Sequence, residues 1–501
     1  MIETMLGMLL LAQIAMGAFD TLYHHELTQR LAWRPGQATE LRLHGVRNLV
    51  YAIVFLALGL SVPQGGWAIL LMALLTGEAF VTLWDFVEED RTRLLPATER
   101  VTHTLLTLNY GLILALLLPG LWAAASAPSD LLFRWNGIFS VLFALAAIGV
   151  VVSGLRDLVA ARRSRRIVES DAAELAGAID GRRAILVTGG TGLVGSRLVD
   201  ALAGAGHDVT VLTRDVTHAR HLPAPLRIVT DLDQIGSADR IDAIVNLAGE
   251  SIAGGLWTRR RRTAILASRI ETTRAIHALC ARLDRRPAVL VNASAIGFYG
   301  DAAEEMLDEG CARGSGFCAD VCGEWEMEAQ RLEALDLRVV RLRIGLVLTS
   351  AGGFLGNLLF PFEAGMGGRI GNGRQWLSWI HRDDLVRLVA FAIATPDLHG
   401  AVNAVAPNPV RNADFAKALG RALCRPALIP LPAAPLRLAL RDFADELFLA
   451  SQRVLPVKAV FHGFGFRHAR IEAALARIVG APEPRATPER YRPLADARLL
   501  H

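Results

Sequence analysis

The chain predicts an α/β, doubly wound parallel sheet preceded by an all-α transmembrane bundle. Two observations carry this. The stretch TGGTGLVG, Thr188 to Gly195, follows an apolar run, Ala184 to Val187, and opens a helical pattern, Ser196 to Leu202. Strand, tight glycine turn and helix are the context of a dinucleotide site. Before it stand several apolar segments of membrane length. The length of 501 residues suggests two or three domains. Hydrophobic residues make up 52%, with the excess in the first 155 positions. A net charge of +4 is too small to argue for nucleic-acid binding. The five cysteines lie in the second half, form no CxxC pair and suit a reducing compartment.

Five apolar segments run over roughly 4–22, 48–63, 66–86, 104–125 and 135–155; the last two are uncharged and near the ~20 residues a bilayer requires, and the first two are shorter. Arginines alternate. Arg30, Arg34, Arg42 and Arg47 follow the first segment, Arg91, Arg93 and Arg100 the third, and Arg156 to Arg166 the fifth, whereas the other connections hold only Arg134. Basic loops stay inside. The expectation is an external N-terminus, five crossings of the inner (cytoplasmic) membrane and a cytoplasmic α/β domain. Domain 1–155 is thus the membrane part, 156–182 a basic helical linker on the inner leaflet, 183–480 the nucleotide domain and 481–501 a tail.

The cytoplasmic side of the membrane part collects histidines and carboxylates. Candidate metal ligands are His24, His25, His44, Glu78, Asp85, Glu99 and His103. Glu78 is ionisable at membrane depth, and Glu99 and His103 are four apart on one helix face. Imidazole with carboxylate suits iron, zinc or manganese. The competing readings are a solvated rim paired with loop arginines, and a proton or quinone site.

From Arg183 strands and helices alternate. Strand runs are 184–188, 208–213, 226–230, 242–247, 288–293 and 337–343, and helical runs are 193–204, 263–283 and 320–335, the pattern of a parallel sheet. Gly189 allows the first turn, Gly192 lets the backbone approach a pyrophosphate, and Gly195 lets helix and strand pack. Thr191, Leu193 and Val194 complete that cofactor contact, and the helix N-terminus faces the phosphates. The second strand ends at Thr213 and Arg214. A guanidinium there suits the 2′-phosphate of NADP, while Asp215 keeps NAD open.

The segments TGGTGLVG, NLAGESI (Asn246 to Ile252), SRIETTR (Ser268 to Arg274), NASAIGFYG (Asn292 to Gly300), WIHRDDL (Trp379 to Leu385) and GAVNAVAPNPV (Gly400 to Val410) resemble one family as a set. It is the short-chain dehydrogenase/reductase superfamily, within it the atypical, epimerase-like extended members (NAD(P)-dependent epimerase/dehydratase). The resemblance covers about residues 183–480. It implies a Rossmann domain with a small C-terminal substrate lobe, and cofactor-side roles for Ala248, Gly249 and Glu250. It also implies a Tyr-x-x-x-Lys pair, in which lysine lowers the tyrosine pKa. Here Cys318 and Cys322 fall at those positions, and Ala295 stands at the usual serine position, beside Ser294. The remaining catalytic candidates are Ser294, Tyr299, Cys318 and His381. Asp320 and Glu324 on the same helix read as bases or as a solvated face, and His381 also reads as a helix cap. The run Arg259 to Arg262 reads as an anion contact or a solvated helix start.

The expected function is a membrane-anchored, NADPH-dependent oxidoreductase or epimerase-like enzyme acting on a small-molecule or lipid-linked substrate. The alternatives are a non-catalytic NADP(H) sensor or scaffold, and an NADPH-fed metal or quinone redox protein.

Overall fold

The computed structural model describes residues 2–223 and 225–482. It divides into two compact units: residues 1–170 with 350–352, and the remainder from Asp171.

The first unit is helical. Its helices are α1 (Ile2–Phe19), α2 (Ala38–Leu60), α3 (Gly66–Thr92), α4 (Ala97–Ala124) and α5 (Ile138–Ser164). Five helical stretches are long and apolar enough to cross a membrane by length and composition. α1 passes directly into a π-helix, Asp20–Thr28. α2 and α5 pack through small residues: a Cβ on Gly45 would meet Gly154 O at 3.0 Å and Leu158 Cγ at 2.7 Å. Close backbone approach through glycine is the usual packing device of apolar helices. Short strands at Ser61–Gln64 and Asp130–Phe133 pair antiparallel. Leu71, Leu75, Ile113, Leu117 and Phe143 form the core, while Phe80 and Trp122 are 68% and 76% exposed.

The hydropathy windows stop short of the helices they mark. α2 starts ten residues before the apolar segment at 48, and α3 and α5 continue past 86 and 155. Those extensions carry the buried Glu40, His44, Glu89 and Asp157. The linker expected over 156–182 is divided. Residues up to Ser164 continue α5, whereas Leu175 and Ala176 are buried in the core of the second unit. Apolar positions at that core hold the segment down. Most of the expected tail lies outside the described residues.

The second unit contains seven parallel strands: β1 (Ala184–Thr188), β2 (Asp208–Leu212), β3 (Arg227–Val229), β4 (Ala243–Asn246), β5 (Val289–Ala295), β6 (Arg338–Ile344) and β7 (Gly400–Ala404). Their order is β7-β6-β5-β4-β1-β2-β3. In register, Val187 lies between Val211 and Val245. The central strands are apolar on both faces, as parallel sheets covered by helices require. The helices α6 (Gly195–Gly204), α7 (Arg259–Arg282), α8 (Phe317–Gln330) and α9 (Arg382–Ala394) supply that cover. Leu198, Leu202, Leu385 and Val389 pack with Val187 and Val245. Ile276, Leu279 and Ala329 pack on the other face with Leu186, Ile244 and Leu290. The order reverses between β1 and β4, and such a switch point opens the crevice where ligands bind in this class of sheet. Residues beyond β7 form a smaller lobe, tied back by pairing of Arg453–Val454 with Met306–Leu307.

Candidate functional site

β1 delivers the glycine turn to the switch point. Gly189 has φ +69°, and a Cβ there would lie 2.7 Å from Leu247 O. Gly195 sits so close that a Cβ would collide with Gly189 O. Gly190 also matters, since a Cβ would meet Val211 Cγ1 at 2.8 Å; only its place in the run pointed to it. A Cβ on the exposed Gly192 would meet just Gly189 O, at 3.3 Å. That leaves an open approach at the mouth of α6. Thr191, Leu193 and Val194 are partly exposed around it. Free N–H groups and the helix dipole make this mouth an anion site.

The loop after β4 forms the facing wall. Glu250 N donates to Ser268 Oγ at 2.9 Å, and Glu250 Oε1 accepts from Arg261 Nη1 at 2.9 Å. Arg214 reaches Glu250 Oε2 at 3.9 Å and is 92% exposed. The four arginines of the run point different ways. Arg261 joins this wall, Arg262 pairs with Asp442 at 2.7 Å, and Arg259 and Arg260 are exposed. Arg269, in the SRIETTR segment, was not singled out by sequence. Its guanidinium donates to Glu250 O at 3.1 Å and would lie 3.0 Å from a Cβ on Gly249. Beneath the loop lies a buried polar ladder. Thr188 Oγ1 donates to Asn246 Oδ1 at 2.6 Å, and Asn246 Nδ2 to Asn292 Oδ1 at 2.7 Å.

β5 and α8 position the remaining candidates. Ser294 Oγ donates to Glu326 Oε1 at 2.7 Å, and Arg343 clamps both oxygens of that carboxylate at 2.9 and 3.0 Å. Arg343 also donates to the Tyr299 hydroxyl at 2.9 Å, which in turn donates to Asn403 Oδ1 at 2.7 Å. Burial pushes the Tyr299 phenol up to about 12. Ser294 and Tyr299 thus belong to one closed network, through partners on β6 and β7 that no local motif marks. Cys318 lines a cleft of about 150 Å³ together with Gly297, Asp301, Arg437, Glu446 and Gln452. Glu446 accepts from the backbone N–H groups of Phe317 and Cys318 at 3.0 and 2.7 Å. A carboxylate thus caps the α8 terminus that would otherwise lower a thiol pKa. Burial and the Glu446 charge push the Cys318 thiol far up, and burial raises Cys322 to about 11. Thiolate chemistry at Cys318 is opposed by both causes. Asp320 and Glu324 are exposed on the outer side of α8. His381 caps α9, accepting from Asp383 N at 3.1 Å, and stacks on His468 with centroids 3.8 Å apart. Burial and that neighbour hold His381 well below the usual imidazole range. Of its two readings, the cap is the one this geometry expresses.

Residues 185–405 match the family described as "NAD dependent epimerase/dehydratase family", and 431–478 match a domain of unknown function, DUF1731. An epimerase family protein of Mycobacterium tuberculosis is 38% identical over 303 residues, covering 60% of this chain and 98% of that protein. This chain belongs to that epimerase family. The human epimerase family protein SDR39U1 is 35% identical over 298 residues, 59% of this chain and 99% of its own. Its crystal structure, solved with NADPH, superposes with a TM-score of 0.54 at 34% identity, covering 59% of this chain and 99% of that one. A nucleoside-diphosphate sugar epimerase from Corynebacterium glutamicum gives 0.50 at 32%, covering 65% and 63%. Within this epimerase-family chain, the DUF1731 segment supplies Glu446 and most of the far wall of the Cys318 cleft.

The epimerase match begins at Ile185, and the helices α1–α5 of the helical unit lie outside it. That unit gathers most of the expected metal ligands. His25 Nε2 lies 3.4 Å from Asp20 Oδ2 and 3.8 Å from Glu99 Oε1. His103 Nε2 lies 3.3 Å from Asp20 Oδ2, and its Nδ1 3.3 Å from Glu89 Oε2. His44 Nε2 lies 2.8 Å from Asp85 and 3.7 Å from Glu89. The expected ligand set is corrected in three places. Glu78 stands apart, accepting from Thr82 at 2.7 Å one turn away on its own helix. His24 is held by Asp20 and Thr98, and Asp85 is shared with Arg47 at 2.8 Å. Asp20 and Glu89, absent from the expected set, are central. Of the solvated-rim reading, the pairing with loop arginines holds, Arg93 with Glu40, Glu89 and Glu99 and Arg47 with Asp85, whereas these groups are buried and not solvated.

Proposed function

We propose that this chain is a membrane-anchored, NADPH-dependent oxidoreductase of epimerase-like architecture, acting on a small or lipid-linked substrate. The observation that carries the reading is the open glycine turn at the mouth of α6 with Arg214 exposed beside it. NADPH bound to the human relative supports it. Bound cofactor supplies the hydride. This chain's own residues would hold the cofactor: the α6 N-terminus would receive the pyrophosphate, and Arg214 and Arg261 would meet a 2′-phosphate. Glu250 holds the two arginines in place until a phosphate takes them over. Gly192 keeps the approach clear, and the lobe carrying Glu446 closes the substrate side. Exposed aromatic and aliphatic groups around α1–α5 support bilayer anchoring, and the alternating arginines support a cytoplasmic nucleotide half.

The test is cofactor titration of the purified full chain. NADPH binds more tightly than NADH, and Arg214→Ala lowers that preference about ten- to a hundredfold, because a charge-assisted contact is worth roughly 1.5–3 kcal/mol. Equal affinity for the two cofactors in the unaltered protein overturns the assignment. A second reading, an NADP(H) sensor without turnover, is favoured by the two neutral thiols at Cys318 and Cys322. Stoichiometric binding without NADPH oxidation in the presence of candidate carbonyl substrates distinguishes it.

A further inference from the structure

The helical unit buries a donor set that its ion pairs do not use up. Asp20, His25, Glu99 and His103 each present one donor atom, and all four atoms lie within 4.8 Å of one another; His25, His44 and Glu89 do the same. Metal–ligand bonds of about 2.0–2.2 Å put tetrahedral donors about 3.4 Å apart and trans donors up to about 4.3 Å apart, so the widest pairs of this set close on one ion by moving about 0.5 Å or more. His25 Nε2, His44 Nε2 and Glu89 Oε2 are buried without a hydrogen-bond partner. Their nearest carboxylate or imidazole neighbours are at 3.3–3.4 Å for His25 and Glu89 without hydrogen-bond geometry, whereas His44 Nε2 is ion-paired with Asp85 at 2.8 Å. Leaving such atoms buried and unsatisfied costs about 1–3 kcal/mol each, more when charged, and a cation among them removes that cost.

Charge points the same way. Asp20, Glu40, Asp85, Glu89 and Glu99 are all buried. Arg93 pairs with Glu40, Glu89 and Glu99, and Arg47 with Asp85. Each carboxylate oxygen keeps lone-pair capacity beyond those bonds, and Asp20 meets only imidazoles among its ion-pair contacts in the described residues. Backbone winding assembles the set. In the π-helix Asp20–Thr28 the i→i+5 bond from Gln29 N to His24 O is 2.7 Å. Such winding brings Asp20 and His25 to one side, where α-helical winding would splay them, and π segments are frequent at functional sites. His24 Nδ1 steadies Asp20 Oδ1 at 2.8 Å, the outer support that metal ligands commonly have.

We propose that Asp20, His25, Glu99 and His103 hold a divalent first-row transition-metal ion (iron, manganese or zinc), with Glu89 and His44 extending the site toward a second ion. Nitrogen with carboxylate oxygen is the donor chemistry of these ions. The test uses the full chain, purified in detergent without chelator, for elemental analysis. The same protein is then stripped and titrated with Co(II), read by its visible absorption band. One or two equivalents of metal and a Co(II) band are expected. Asp20→Asn and His103→Gln each weaken Co(II) binding at least about tenfold, while Glu78→Gln leaves it unchanged. Asp20→Asn keeps the shape of the side chain, and gel filtration with helical circular dichroism verifies that each variant is folded. Substoichiometric metal with no Co(II) band, or undiminished binding in both folded ligand variants, overturns the site and makes the cluster a self-neutralising ion network. None of these readouts depends on NADPH.

Discussion

Tyr299 illustrates how a side chain that sequence offers as an acid is given other work by its neighbours. Its hydroxyl lies between Arg343 and Asn403, both buried. The expected result for Tyr299→Phe is a loss of about 1–3 kcal/mol of stability, because Asn403 and Arg343 are left with buried, unsatisfied groups. NADPH affinity stays within about twofold, since the cofactor turn is built by other residues. Urea denaturation and cofactor titration check the two halves of that statement. A stable variant would show that the network does not carry the phenol. The glycines were legible at this scale because steric exclusion is written in a single residue type. Arg343, Asn403 and Glu446 were not, because each acts on a partner distant in the chain.

At the scale of elements, six of the seven strands could be read from apolar runs, since a parallel sheet covered on both faces needs apolar residues on both. β7 could not. It opens on Gly400 and is interrupted by Asn403, whose side chain is hydrogen-bonded in the interior, so the apolar run is too short to stand out although Val402 and Ala404 lie in the core. The long helices were legible as lengths of apolar residues, but their polar continuations were not, because mean hydropathy falls where charged residues become frequent. The cap of α9 yields a pH dependence. His381 is held below its ordinary value by burial and by His468. The unfolded chain therefore takes up the proton first, at about pH 6.5. Stability from this site is complete above that pH and declines as pH falls below it. Hydrogen exchange in α9 should accelerate as pH is lowered from about 7.5 to about 5, once corrected for the intrinsic rate, and His381→Asn, which keeps a capping oxygen, should flatten that dependence. An unchanged rate in the unaltered protein would show that His381 is not buried neutral.

For the whole molecule, the alternating arginines are the basis of the proposed topology. A reporter fused after Arg166 is expected in the cytoplasm and one placed near Ser126 outside the membrane. Cytoplasmic signal at both positions would break the five-span count. The five long helices expose many large apolar residues and bury a cluster of ionisable ones around an apolar core, while the seven-stranded unit keeps its large apolar residues mostly within. In a bilayer the first arrangement never hydrates its apolar face, so its stability draws little on the expulsion of water. The second unit does draw on it, and carries the associated heat-capacity change of about 12–15 cal/mol/K per residue. One polypeptide thus holds two thermometers. Chilling weakens the apolar core that supports the nucleotide turn, while the helix packing at Gly45 and Gly154, which rests on contact and not on solvent, is left nearly indifferent to cold.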